Sequence, residues 1–150
     1  METNRVTSAI AGGIAGTAVL TLLLILLEVQ TREQIRAFDV IARFVGTPGD
    51  TTVGFVLFAV AGVVAWPLLF VALRDYIPRG PDPATQGAIF AVVLWVAFAI
   101  TGRGTLSGPI LILYTAYTFF AHLAYGFTLG MVYGHFREGS QVPQEYYAGQ

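Results

Sequence analysis

Residues 6–27 read VTSAIAGGIAGTAVLTLLLILL, 22 positions without a charge. A helix needs about 20 such residues to cross a hydrocarbon core of roughly 30 Å. A water-soluble helix of a bundle would return a polar residue every third or fourth position, and this stretch does not. Its apolar run is longer than the core of a secretory signal peptide and no A-x-A-like cleavage site follows, so it is expected to stay as a permanent helix. Working outward, the pattern recurs. Residues 51–73 and 83–102 are also free of charge, and so are residues 104–136, which are mostly apolar from 109 to 134. The expected fold is therefore all-α: an integral membrane four-helix bundle with spans at about 7–28, 52–73, 83–102 and 109–135.

Composition agrees. The 150 residues suit one domain, with 55% hydrophobic and only 11% charged residues, whereas soluble proteins carry about 25% charge. The net charge of −1 leaves no basic footprint for nucleic acid. All eight basic residues are Arg, and the absence of Cys excludes disulfides, thiol nucleophiles and Cys metal sites. The domain is expected to cover 1–138, with a flexible tail at 139–150 that contains Gly, Ser, Pro and Gln.

The loops carry their own signals. Thr31-Arg32-Glu33-Gln34 fits a capping box. Ile35, Phe38, Ile41, Ala42 and Val45 then share one helical face, opposite Arg32, Arg36, Asp39 and Arg43. This predicts a short amphipathic helix over about 31–45, lying at the membrane surface. Val40 and Phe44 spoil the division of faces. Thr47-Pro48-Gly49-Asp50 reads as a turn into the second span. Asp82-Pro83 reads as an N-cap followed by proline at the first helical position. Pro67 should bend the second span by removing one backbone hydrogen bond.

Arginines divide four and four between the two sides: Arg5, Arg74, Arg79 and Arg137 against Arg32, Arg36, Arg43 and Arg103. The N-terminal amine tips the positive-inside count toward two cytoplasmic termini in the plasma membrane. Arg103 lies in a glycine-rich connection and reads as a rim anchor to lipid headgroups.

Candidate contacts come from small residues. Gly12 and Gly16 follow Ser8 at four-residue spacing, and Gly126, Gly130 and Gly134 repeat that spacing in the last span. Small residues let helix backbones approach in lipid, where apolar contact alone drives no association. The stripes could join the first and last spans, or two copies of the last. His122 lies midway along the last span and on the glycine stripe, so its ring is expected to face the bundle interior or a subunit contact. Ionisable groups at that depth are functional candidates. A neutral imidazole satisfied by a Thr hydroxyl or backbone carbonyl would equally serve as a helix-to-helix bond.

The sequence points away from an enzyme. It has no H-E-x-x-H and no phosphate loop, and no pair of carboxylates lies within the spans. No cofactor is required. His135 is on the same helix as His122, so haem would need either a partner's ligand or a single axial His122.

The segment His122-Leu123-Ala124-Tyr125-Gly126-Phe127-Thr128-Leu129-Gly130-Met131-Val132-Tyr133-Gly134 resembles the H-x-x-Y-G-x-x-x-G-x-x-Y-G ending of an uncharacterised family of small four-span membrane proteins of bacteria and haloarchaea. Residues 11–17, AGGIAGT, are similar to its A-G-x-x-A-G-T opening. The resemblance implies two helical hairpins in tandem, with Gly62 corresponding to Gly126 and Phe58 standing where His122 would fall. It also implies, through members that travel with haem-copper oxidase genes, a respiratory partner. Three functions follow as expectations: a non-catalytic accessory subunit of a larger membrane complex such as a terminal oxidase, a small homo-oligomeric transporter or channel, or a haem- or quinone-binding module. The expected partners are the lipid bilayer and either larger membrane subunits or a second copy of the chain.

Overall fold

The computed structural model describes residues 2–32, 34–77 and 82–139. It contains five helices: α1 (Glu2–Gln30), α2 (Ala37–Phe44), α3 (Thr51–Leu73), α4 (Pro83–Gly102) and α5 (Gly108–Gly139). All but α2 are long and apolar enough to cross a membrane. The 29 residues of α1 and 32 of α5 extend to roughly 43 and 48 Å at 1.5 Å per residue. Both exceed the hydrocarbon thickness, so they tilt or project beyond it. The tail expected at 139–150 lies, apart from Gly139, outside the described residues.

The ends of the helices follow local chemistry. Asp82 Oδ1 accepts from Thr85 N–H at 2.8 Å, with Pro83 at the first helical position. Asp50 Oδ1 accepts from Val53 N–H at 3.0 Å at the start of α3. Both carboxylates satisfy amides that have no partner inside the helix.

The capping box expected at Thr31 does not form. The Thr31 hydroxyl instead donates to Leu27 O at 2.7 Å, closing α1, and Arg32 has φ +49. A residue in the left-handed region ends a helix rather than starting one. The surface helix therefore begins six residues later than expected, at Ala37, with no side-chain cap, and Glu33 lies outside the described residues. The amphipathic logic holds over the shorter helix except at Val45, which falls just past its end and is exposed. Phe38 and Ala42 are buried, as is Ile35 just ahead of it, and Ile41 packs against the core. Arg43 pairs with Asp39 at 3.0 Å, and Asp39 also accepts from Gly49 N–H at 2.8 Å, tying α2 to the following turn. Phe38 meets Phe55 and Phe58 edge-on, each at 5.3 Å. Gly54 gives the room for this, since a Cβ there would overlap Phe38 O.

The helices lie in the order α3, α1, α5, α4, each packed on the next, while α3 and α4 make no extensive contact. Gly12 and Gly16 face α5: a Cβ on Gly12 would lie 2.6 Å from Leu129 O, and one on Gly16 2.9 Å from Tyr125 O. The other stripe faces α4, not α1. Gly126 is against Gly87 and Ala91, Gly130 against Pro83 and Ala84, and Gly134 against the Pro83 ring. α5 is thus held by two neighbours on two faces.

Gly62 of α3 faces Thr17 of α1, and Gly126 of α5 faces Gly87 and Ala91 of α4. Glycines let α1 close on both of its neighbours, whereas α3 and α4 stay apart. What bridges that gap is side chain: Phe70 against Phe90 at 5.7 Å and Arg74 donating to Gln86 at 3.4 Å.

Candidate functional site

Pro67 sets one wall of the site. Residues Ala61–Ala65 form a π turn, in which Trp66 N–H reaches back five residues to Ala61 O. Gly62 O would next receive either Trp66 N–H, now engaged, or an N–H at position 67, which proline lacks. A buried carbonyl without a donor is costly in an apolar medium, and neighbouring helices commonly supply one. Here Tyr125 does so, its hydroxyl donating to Gly62 O at 2.8 Å from α5. Wide turns of this kind are frequent at functional sites.

The separation of α3 from α4 leaves an apolar cavity of about 290 Å3. Leu20 of α1 and His122 and Tyr125 of α5 form its back. Phe58, Ala61 and Gly62 line it from α3, and Leu94, Ala97 and Phe98 from α4. Val40, Ile41 and Phe44 of α2 roof one end. Val40 and Phe44, the two residues that break the amphipathic pattern, therefore have a place here, with Phe44 78% exposed. The lining residues Phe44, Trp66, Ala97 and Thr101 are exposed and mark a mouth facing sideways.

His122 is 6% exposed. Its Nδ1 lies 2.7 Å from Thr118 O, and its ring lies 5.0 Å from the Phe98 ring. A carbonyl only accepts, so in the neutral imidazole Nδ1 carries the proton and Nε2 presents a lone pair. Nε2 has no partner among the described residues. Thr118 is itself fixed, donating to Tyr114 O at 2.6 Å and accepting from Trp95 Nε1 at 3.3 Å. The backbone around His122 is thus braced by two further side chains. Among the described residues no three His, Cys, Asp or Glu converge as a metal site.

Arg103 ends α4 and is exposed at the bundle rim, with its carbonyl accepting from Leu106 N–H at 2.8 Å. It lies at the end that carries α2. The glycine stripes lie behind the cavity rather than in it. Gly87 is a contact that the four-residue glycine stripes do not include, although Ala84, Gly87 and Ala91 form a small-residue stripe of their own. The donation from Tyr125 to Gly62 O is a pairing that no spacing signals.

An all-α bundle with four bilayer-length helices and a side-opening cavity is the class that fold and site define. Residues 3–144 match a family of unknown function, DUF6789, and the chain belongs to that family. No curated protein and no solved structure matches it.

Proposed function

We propose that the protein is a non-catalytic subunit of the plasma membrane that holds a small lipid-soluble molecule between α3 and α4. The observation that carries this reading is the cavity itself, mostly apolar and roofed by α2, with His122, whose Nε2 has no partner among the described residues, in its lining. Binding sites are typically concave and mostly apolar, with a few placed polar groups. The bundle is oriented with both termini cytoplasmic, and Arg103 anchors the opposite rim to headgroups. The respiratory partner implied by the family resemblance fits such a module, since terminal oxidases work within a pool of lipid-soluble carriers. The outer groove between α4 and α5, lined by Trp95, Ile112, Phe119 and Phe120, is apolar and would take a helix of a larger subunit.

Purification from native membranes in mild detergent tests both halves. The expected preparation contains larger membrane subunits, and organic extraction yields one enriched apolar compound. Ala61→Phe, which fills the cavity, should lose the compound and keep the subunits. Extraction of bulk lipid alone from both proteins would refute the ligand, and a chain purifying by itself would refute the accessory role.

A further inference from the structure

We propose that the cavity selects a molecule carrying a ring hydroxyl, a quinol-type headgroup, whose O–H donates to His122 Nε2. This rests on the cavity being a ligand site. The selection follows from which nitrogen holds the proton. Nδ1 lies 2.7 Å from Thr118 O, and two acceptors that close would repel, so the proton stays on Nδ1. Nε2 is therefore fixed as an acceptor, and a ligand must bring the hydrogen.

The other side-chain hydroxyls that line the cavity already donate elsewhere. Tyr125 at the back donates to Gly62 O, and Thr101 at the mouth donates to Ala97 O at 2.8 Å. His122 is a buried residue that lines the cavity, 6% exposed, so bulk water has little access to it. Phe58 and Phe98 both line the space, which suits a planar ring, since aromatic rings gain from edge or offset contact. The mouth between Trp66 and Ala97 opens sideways, where an apolar tail can remain in lipid.

A quinone differs from its quinol by two hydrogens and retains only acceptors. Placed at His122, it sets a carbonyl lone pair against the Nε2 lone pair, and both groups remain unsatisfied. The cavity therefore prefers the reduced form. An aliphatic alcohol shares the donor but not the flat ring, and separates the contribution of the hydroxyl from that of the aromatic walls.

The test uses the full chain in phosphatidylcholine nanodiscs, titrated anaerobically with decylubiquinol and followed by tryptophan quenching. Four probes are compared: the quinol, its quinone, its dimethyl ether and 1-dodecanol. The quinol should bind saturably and about tenfold more tightly than the quinone or the ether, the ratio expected for one buried hydrogen bond. Dodecanol should bind more weakly than the quinol. In His122→Phe the quinol should fall to the level of the ether. Equal binding of quinol, quinone and ether by the wild-type protein overturns the inference, and needs no variant to fold. If that equal binding disappears in Ala97→Phe, the ligand site survives and only its donor selectivity fails. If Ala97→Phe changes nothing, or no probe saturates, the ligand site fails as well.

Discussion

Replacing Tyr125 by Phe should expose the cost of Pro67. Among the described residues Gly62 O is served by the Tyr125 hydroxyl at 2.8 Å, because Trp66 N–H is spent on Ala61 O and residue 67 has no N–H. Removing the hydroxyl leaves a buried carbonyl orphaned, which costs about 1–3 kcal/mol. Hydrogen bonds between membrane helices measure toward the lower end, about 0.6–2 kcal/mol, so a loss of about 1–2 kcal/mol is expected. Pro67→Ala supplies an amide at 67. Whether the turn stays wide or tightens, Gly62 O then regains a backbone donor. Tyr125→Phe should therefore cost almost nothing in the Pro67→Ala background. The measurement is a double-mutant cycle of reversible unfolding in mixed micelles, followed by circular dichroism. A coupling energy of about 1 kcal/mol is expected. Equal costs of Tyr125→Phe in the two backgrounds would refute the account of the freed carbonyl. The cycle cancels the packing that Pro67→Ala loses against Gly13.

Tyr133→Phe should behave oppositely. Its hydroxyl is buried without a partner, while its ring sits under the Arg74 guanidinium at 4.9 Å; unfolding should show no loss, or a gain of up to about 1 kcal/mol. Gly126→Ala should destabilise by about 1–3 kcal/mol, since its Cβ would overlap Gly87 O and Ala91. Gly134→Ala should cost less, because the nearest atom is Pro83 Cγ at 3.0 Å; thermal melts in one detergent rank the two. Asp82→Ala removes the cap of α4 and should cost about 1 kcal/mol, read in the same melts. His122→Phe should keep the fold with a loss on the order of 1 kcal/mol, shown by an unchanged circular dichroism spectrum.

What the sequence discloses and what it hides divide along the range of the forces. Runs without charge, an Asp-Pro pair and a mid-span proline act within one helix, so the four spans, the start of α4 and the disturbance near Pro67 are legible. At Thr31 the reading fails: its hydroxyl donates back to Leu27 O and accepts from Ile35 N–H, but the left-handed Arg32 between them breaks the helical path, and α2 starts only at Ala37. The partner of a glycine stripe is a tertiary fact. Gly126, Gly130 and Gly134 are complementary to any close backbone, and the selection of α4 depends on Gly87 and on the short connection between α4 and α5. The cavity is less legible still. It exists because α3 and α4 stay apart, with side chains such as Phe70 and Phe90 bridging them, and no spacing within one helix signals its distance from another.

The two sides of the cavity differ. Phe58 lines it from α3 and His122 from α5. One wall is bare hydrocarbon and the other carries an imidazole. A guest of the proposed kind would therefore meet unlike chemistry at its two ends, and only one way of entering would satisfy both.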